Sequence, residues 1–132
     1  LNPGQAAQPL DKIASGGELS RFLLALVPLL SSGSEQPALI FDEVDAGVGG
    51  LTLNSVAEKL EKLAETRQVI LITHWPQLAA KARTHFQVMK EVRDGDTFTL
   101  CKRLNGEDRR AELIRMAGGG DMGKALADEL LV

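Results

Sequence analysis

Three carboxylates follow a short apolar run in the segment ALIFDEVDAGVGG, residues 38–50. Asp42 and Glu43 are adjacent, and Asp45 lies two positions further along the chain. Charged groups at the end of a buried strand are unfavourable unless something there uses them. A strand-end aspartate can hold Mg²⁺ through water, and a neighbouring glutamate can orient or deprotonate an attacking water molecule. The segment therefore predicts magnesium-assisted chemistry on a phosphate, although an Asp-Glu pair taken alone is more often helix capping and solvation.

Two further segments could contact a phosphate. Ser15, Gly16, Gly17 and Glu18 open a helix pattern, and small residues there leave backbone N–H groups accessible at the positive end of the helix dipole. His74 follows the apolar run QVILIT, where an imidazole could contact a phosphate oxygen. Each has a simpler interpretation, because SGG can be an ordinary N-cap and a single histidine close to a proline is usually a loop residue. The chain has no GxxxxGK[ST] phosphate-binding loop.

The elements that position these residues follow from hydrophobic periodicity. Residues 38–41 and 68–73 are short apolar runs typical of strands buried on both faces, and residues 53–66 have the spacing of an amphipathic helix. Strand, helix and strand in this order predict a parallel pair joined by a right-handed crossover. Because ligands of open parallel sheets bind beyond the carboxyl ends of the strands, we expect the carboxylates and His74 at the same edge.

Beyond this pair the sequence predicts further helices and one β-hairpin. Ser15 and Glu18 have the spacing of a capping box, which starts a helix. Asp94-Gly95 lies between two alternating runs, a strong signal for a hairpin turn. The remaining patterns predict helices at 76–82, 107–117 and 121–131, with glycines after the second, and irregular segments at 1–9 and 31–37. The fold class is a single α/β lobe with an appended hairpin and C-terminal helices.

Composition restricts the class of protein. The chain has 132 residues, 44% of them hydrophobic and 25% charged, which is ordinary for one globular domain. No apolar run is long enough for a membrane span, and the start carries no secretory signal pattern. The single cysteine, Cys101, excludes an internal disulfide and fits a reducing compartment. The net charge of -3 argues against a chain-wide basic surface for nucleic acid.

Together, these segments resemble the C-terminal half of an ABC-type ATPase head. SGGE is similar to the signature motif, ALIFDE to the Walker B strand, VDAGVGG to the D-loop and ITH to the switch histidine. ASGGELSR and FDEVDAGVGG resemble the SMC-like branch of chromosome maintenance and DNA repair more closely than the LSGGQ of transporters. Within that branch, segments covering nearly the whole chain resemble a bacterial family of DNA double-strand break repair. Ala46, Gly49 and Trp75 depart from its pattern, which leaves side-chain roles at 46 and 49 open.

The resemblance implies a fold and a set of partners. Residues 1–132 would be the C-terminal lobe of a P-loop (ABC-type) ATPase head, with the Walker A segment and a coiled coil outside this chain. A start at Leu1 and a first methionine at Met89 agree with an excised piece. The implied cofactors are ATP and Mg²⁺. The implied partners are the N-terminal Walker A segment, a second head in a homodimer and, through the whole protein, DNA, with no membrane and a cytoplasmic, nucleoid-associated location.

The same resemblance implies roles for individual residues. Asp42 would hold Mg²⁺, and Glu43 would be the general base or would position the attacking water. His74 would contact the γ-phosphate, and Asp45 would act across the head dimer. Residues of the signature motif would bind the partner's γ-phosphate or cap its helix: Ser15, Gly16, Gly17 and Glu18. Chemistry of this kind depends on positioning and electrostatics, so this segment alone is expected to be inactive.

Three alternatives from other classes remain open. A nucleotide-binding domain of another ABC-superfamily ATPase, SMC-like or from a transporter, would share the motifs. A receiver-like phosphoacceptor domain would also place acidic residues at strand ends around Mg²⁺, but it should have a lysine where this chain has His74. A non-catalytic docking module would not need Glu43 in the parent protein.

Several other residues are interpreted as structural. Cys101 is predicted to be a small packed thiol in a strand, and Trp75 a hydrophobic anchor for the helix that follows it. Basic pairs could contact DNA, but a solvated face is the preferred interpretation: Lys102 and Arg103, and Arg109 and Arg110.

Overall fold

The computed structural model describes residues 16–27 and 37–132, and these divide between two compact units, Leu1–Thr73 and His74–Val132. The predicted lead-in at 1–9, the Ser15 cap and most of the predicted loop at 31–37 lie outside the described residues. The first unit contains α1 (Gly16–Leu26), β1 (Leu39–Asp42), α2 (Gly50–Ala64) and β2 (Val69–Ile72). The second contains α3 (Pro76–Lys81), β3 (His85–Arg93), β4 (Asp96–Leu104), α4 (Gly106–Met116) and α5 (Gly120–Leu130).

The two short strands of the first unit pair in parallel, as predicted. Leu39 lies opposite Val69 and Asp42 opposite Ile72, so both strands end at the same edge. The connecting helix α2 begins at Gly50, three residues earlier than its apolar spacing predicted. The difference arises because that spacing detects the buried face of a helix, whereas the first turn here is set by backbone geometry at Gly49.

Both helices of the first unit pack against its strands. Phe41 and Val44 are fully buried, and Leu53 is 1% exposed. The helical spacing of α2 is confirmed by a buried stripe formed by Leu53, Val56, Ala57, Leu60 and Leu63.

Within the described residues the two strands are buried on one face only, which differs from the predicted burial on both faces. Ile40 is 63% exposed, and Ile70 and Ile72 are 45% and 54% exposed. Burial therefore alternates along each strand, because the helices α1 and α2 of the first unit pack against one face of the strand pair. An apolar run alone cannot reveal how many of its faces the same chain covers.

The hairpin of the second unit is the one that its turn residues predict. β3 and β4 pair in antiparallel register, with Arg93 opposite Asp96. The two residues between them, Asp94 and Gly95, have φ of +53° and +89°. Positive φ at both central positions is the geometry of a tight hairpin turn whose twist matches the flanking strands, and Asp-Gly tolerates it.

The C-terminal helices also agree with the sequence. α4 ends at Met116, one residue before the predicted end at 117, and Gly118 adopts a φ of +89° just after it. Leu113 and Ala127, which join α4 to α5, are fully buried and cluster with Ala79 of α3. Gly123 keeps this packing close, because a Cβ there would lie 3.0 Å from the carbonyl oxygen of Ile114.

Cys101 is exposed, so its prediction as a packed thiol was wrong. It lies directly opposite Val88 on the hairpin, and Val88 is itself 67% exposed. Alternation along β4 places Cys101 on a different face from Leu104, which is buried. None of the helices within residues 16–27 and 37–132 combines the length and apolar character that crossing a bilayer requires.

Candidate functional site

The three carboxylates lie at the end of β1 and in the two successive turns that follow it. Asp42 ends the strand and is exposed, as is Glu43. The N–H of Ala46 donates to the carbonyl of Glu43 at 2.9 Å, and the N–H of Val48 donates to that of Asp45 at 3.2 Å. Glu43 has a φ of +55°, which is uncommon for a residue other than glycine. Such a backbone costs on the order of 1–3 kcal/mol and persists only where its surroundings hold it.

Side chains of α1 hold this loop from one side. The hydroxyl of Ser20 donates to the carbonyl of Asp42 at 2.7 Å. Nη1 of Arg21 donates to the carbonyls of Val44 and Ala46 at 3.2 and 2.8 Å. The helix therefore fixes the backbone on both sides of Glu43. Hydrogen bonds from a charged guanidinium are among the stronger ones that a carbonyl can accept.

Gly17 brings α1 close enough for these bonds to form. A Cβ at this position would lie 2.5 Å from the carbonyl oxygen of Glu43 and 2.9 Å from the Cβ of Ala46. Both neighbours are backbone or close to it, so neither can swing away. Glycine at position 17 is therefore required by packing within the same unit, whatever else the motif contacts.

Asp45 points into the unit. Its side chain is 2% exposed and accepts a hydrogen bond from the hydroxyl of Thr73, which directly follows β2. This bond joins the ends of the two parallel strands and satisfies a buried carboxylate that would otherwise be costly. In this structure the carboxylate is used within its own chain, and the action across a dimer that the resemblance implies stays a prediction.

His74 follows Thr73 directly and begins the second unit, where it is exposed. Its ring lies 5.8 Å from that of Trp75, with the two planes inclined by 45°. Trp75 is half-buried at the N-cap of α3, and Pro76 occupies the first turn. This position agrees with the predicted anchoring role of the tryptophan, since the ring lies where the helix begins.

Arg109 stabilises the other end of α3. Its Nη2 donates to the carbonyls of Ala80 and Ala82 at 2.7 and 2.8 Å, which satisfies acceptors that a helix C-terminus leaves open. The prediction of a solvated side chain was therefore wrong for Arg109. It is confirmed for Lys102 and Arg110, which form surface ion pairs with carboxylates of α4 and α5.

The structure brings part of the predicted site together. Gly17, Asp42, Glu43 and Asp45 meet in the first unit, around one loop. Ser15 lies outside the described residues, Gly16 begins α1 and Glu18 is exposed in its first turn. His74 is described with the second unit.

The Asp42 side chain is exposed at the end of β1, where its carboxylate is accessible to a cation. The described ranges bring no three His, Cys, Asp or Glu side chains close enough together to hold a metal ion among themselves. Asp42 could supply one exposed oxygen, with the remaining ligands coming from water and a phosphate, which is how Mg²⁺ is often bound.

Sequence reasoning missed three residues that shape the loop. Ser20, Arg21 and Thr73 each bond to a residue between 22 and 28 positions away in the chain. The one available signal was the polar pair Ser20-Arg21, which interrupts an otherwise apolar stretch of α1. That pair marks a polar patch on the helix but does not identify its acceptors.

Comparison with known proteins gives a consistent set of relatives. No family model matches the chain. It is 48% identical to the DNA repair protein RecN of Deinococcus radiodurans, 46% to that of Rickettsia felis and 45% to that of Bacillus subtilis. Each match covers 98% of the chain. The chain spans about a quarter of these relatives' length, between 23% and 24% of each.

A solved structure shares the fold. It comes from a study of ATP-driven dimerization and DNA-stimulated activation of SMC ATPases. The match has a TM-score of 0.52 and 24% sequence identity, and it covers 86% of this chain and 67% of the other. The predicted fold class, an α/β lobe with parallel strands, a hairpin and C-terminal helices, is confirmed at the level of the fold.

Proposed function

Because this chain belongs, as one segment, to the family of the DNA repair protein RecN, we propose that it is the C-terminal part of an ATPase head that completes an ATP site when two heads associate. Several features support the proposal: the order of the motifs along the chain, the SMC-type fold and the geometry of the loop after β1. The observation that carries the proposal is that three nearby carboxylates differ in their exposure to solvent. Asp42 and Glu43 are exposed at the strand end, whereas Asp45 is buried.

The exposed carboxylates have distinct proposed tasks. Asp42, at the end of the strand, would provide one oxygen ligand to Mg²⁺, which when bound neutralises phosphate charge. Glu43 would accept a proton from the attacking water at one of its carboxylate oxygens, or hold that water in line. The bonds from Ser20 and Arg21 fix where the backbone of Glu43 lies, and such fixed geometry is what phosphoryl transfer mainly requires.

The main phosphate cradle is proposed to come from another segment of the same protein. The nearest match to GxxxxGK[ST], GGGDMGKA at residues 118–125, has alanine at the last position. Residues 120–125 of this segment also lie in the first turns of α5, where Lys124 pairs with Asp121 at 3.2 Å. The exposed sheet face around Ile40 would accommodate such a segment. The isolated chain is accordingly proposed to be inactive.

The partners of the whole protein are also proposals. The relatives are named as DNA repair proteins, and the structural neighbour concerns SMC ATPases that dimerise with ATP and are activated by DNA. A second head and DNA are the corresponding partners for the protein that contains this chain. No observation favours the transporter, receiver-like or docking alternatives over this proposal.

The test separates the proposed base from the proposed ligand in the complete protein. Glu43→Gln keeps the shape of the side chain but removes its basic oxygen. Hydrolysis should fall by about 10²- to 10⁴-fold, the usual contribution of a positioned base. Binding of Mg²⁺-ATP should persist, so that dimers of heads accumulate in light scattering. Asp42→Asn should instead weaken Mg²⁺-dependent nucleotide binding in isothermal titration. Equal loss of ATP binding in both variants would contradict this division of roles.

A further inference from the structure

We propose that Arg21, assisted by Ser20, is a positioning residue for Glu43, so that the signature helix sets the catalytic geometry of its own chain. The inference rests on the proposed function. It goes beyond that function because it assigns a role to the body of α1, whereas the motif at the helix start is assigned to the partner's nucleotide. The family resemblance implied no role for Ser20 or Arg21.

The contacts of Arg21 point to this role. Its Nη1 donates to two carbonyl oxygens of the loop, those of Val44 and Ala46. The guanidinium is half-buried, and the loop begins where the hydroxyl of Ser20 bonds to the carbonyl of Asp42. Among residues 42–46, the carbonyls of Asp42, Val44 and Ala46 therefore all accept hydrogen bonds from one helical segment.

The hydrogen bonds from Arg21 and Ser20 stabilise an unfavourable backbone conformation at Glu43. Glu43 has a φ of +55° and its own carbonyl accepts the N–H of Ala46. A residue other than glycine at positive φ tends to return to negative φ when the hydrogen bonds that hold the adjacent backbone are lost. Arg21 holds the residue that follows Glu43, and Ser20 holds the one that precedes it. Loss of these bonds should therefore move the Glu43 carboxylate rather than unfold the unit.

The same contacts connect two ends of the proposed mechanism. α1 begins at the SGGE motif, and Arg21 lies about one turn into the helix. Gly17 packs directly on the carbonyl of Glu43, so the start of the helix is in close contact with the loop. Displacement of the helix by a nucleotide on the other head would reach Glu43 through these bonds, which form a contiguous physical link.

The experiment uses the complete protein with Arg21→Met, which keeps much of the side-chain length and removes the donors. The kcat for ATP hydrolysis should fall by about 10- to 100-fold, the loss that a small misplacement of a catalytic group can cause. The dissociation constant for Mg²⁺-ATP should stay within about threefold, because Arg21 acts through Glu43. Lys59→Met is the matched control: it removes one positive charge from an exposed position of α2 and should leave kcat unchanged.

A double-mutant cycle decides whether Arg21 acts through Glu43. Residual hydrolysis is followed with radiolabelled ATP under single-turnover conditions in Glu43→Gln with and without Arg21→Met. If the role is positioning, the second substitution adds less than about threefold, because the group it positions has lost its function. If Arg21→Met lowers hydrolysis as much in the Glu43→Gln background as in the unmodified protein, the inference is wrong. It is also wrong if Arg21→Met alone leaves kcat unchanged, or if its lower activity is explained by weaker ATP binding.

A milder variant protects the test against misfolding. Should Arg21→Met lower the unfolding midpoint of the complete protein, Ser20→Ala removes only the bond to the Asp42 carbonyl. It should lower kcat several-fold and show the same non-additivity with Glu43→Gln; additive losses would overturn the inference. Failure of the proposed function looks different: the unmodified protein would not hydrolyse ATP, or Glu43→Gln would have no effect.

Discussion

At the scale of single residues, the closest approach in the proposed site is between Gly17 and the backbone of the following loop. A Cβ at Gly17 would conflict with its surroundings, because it would lie 2.5 Å from the carbonyl oxygen of Glu43. The same Cβ would lie 2.9 Å from the Cβ of Ala46. A flexible side chain could rotate away from such a contact, but a backbone carbonyl within two turns cannot.

We therefore expect Gly17→Ala to destabilise the first unit by about 1–3 kcal/mol, the usual cost of overpacking. The displaced loop should also lower ATP hydrolysis by the complete protein. Gly49→Ala is the matched control, since a Cβ there meets nothing within 4 Å and its φ is −84°. Unfolding midpoints of both variants measure the difference. Equal shifts would mean that the contact with Glu43 is not what constrains position 17.

The residue scale also shows what the sequence could reveal about the site. Asp42 and Glu43 were correctly placed at a strand end, because a short apolar run followed by charge is a local signal. The same spacing did not distinguish them from Asp45, which is buried. Its partner is 28 positions away, and the acceptors of Arg21 lie 23 and 25 positions away. Contacts of this range depend on how elements pack, which no local pattern records.

At the scale of elements, local signals predicted type and order well. The hairpin followed from Asp94-Gly95 and the end of α4 from the glycines after it, because turn and cap chemistry reside in a few adjacent residues. The burial of β1 and β2 was predicted less well. Their second face depends on what packs against it, and that is not a property of the strands themselves.

One carboxylate joins the hairpin to a helix. Glu112 of α4 is 6% exposed and accepts hydrogen bonds from Gln87 of β3 and from Arg115. The bonds from Arg115 hold the pKa of Glu112 below its usual range, and they outweigh the opposing effect of burial. The contact therefore depends on pH.

The sign of this dependence follows from the lowered pKa. Stability from Glu112 is present above the pKa of an unfolded glutamate, about 4.3, and is lost as the pH falls through the lower value of the folded state. Glu112→Gln should thus be less stable than the unmodified protein by about 1–2 kcal/mol at pH 7. The difference should shrink below about pH 4. Urea unfolding at both pH values checks it, with the exposed Glu129→Gln as control.

If the difference in unfolding free energy between Glu112→Gln and the unmodified protein stays constant down to pH 3, the Glu112 side chain acts by packing instead of by charge.

His85 also makes the stability of the second unit fall at low pH. Burial lowers its pKa, and the nearby Arg109 lowers it further. Stability from a neutral His85 is therefore also lost as the pH falls, so acid should weaken the second unit through two groups at the start of β3 and on α4.

At the scale of the whole molecule, this chain is proposed to contribute residues to two different ATP sites. Its exposed carboxylates would serve a nucleotide held by another segment of the same head, and its SGGE motif would serve a nucleotide on the partner head. The chain spans about a quarter of its relatives' length, between 23% and 24% of the three compared. If the ATP site is divided between two heads in this way, a mixture of two inactive variants should regain ATP hydrolysis.

The two proteins are Ser15→Arg and Glu43→Gln, each made in the complete chain. Ser15→Arg places a bulky cation at the start of the signature helix and should spoil contact with the partner's γ-phosphate. Removing one donor of a preorganised site typically costs about 2.7–4 kcal/mol in the transition state, so hydrolysis should fall by roughly two to three orders of magnitude. Binding of ATP to the same head should survive, because the motif serves the opposite nucleotide.

Mixing these proteins creates dimers in which one site carries both substitutions and the other carries neither. The unmodified site should hydrolyse ATP, so activity should return on mixing two nearly inactive proteins. In a random equal mixture half of the dimers are mixed and each has one working site, so the rate should reach at most about a quarter of the normal rate per head. A mixture of Glu43→Gln with Asp42→Asn is the control. Both substitutions lie on the carboxylate side, so every mixed site keeps one defect and no activity should return. Loss of ATP binding by Ser15→Arg alone would place SGGE on its own head's nucleotide and refute the arrangement in trans.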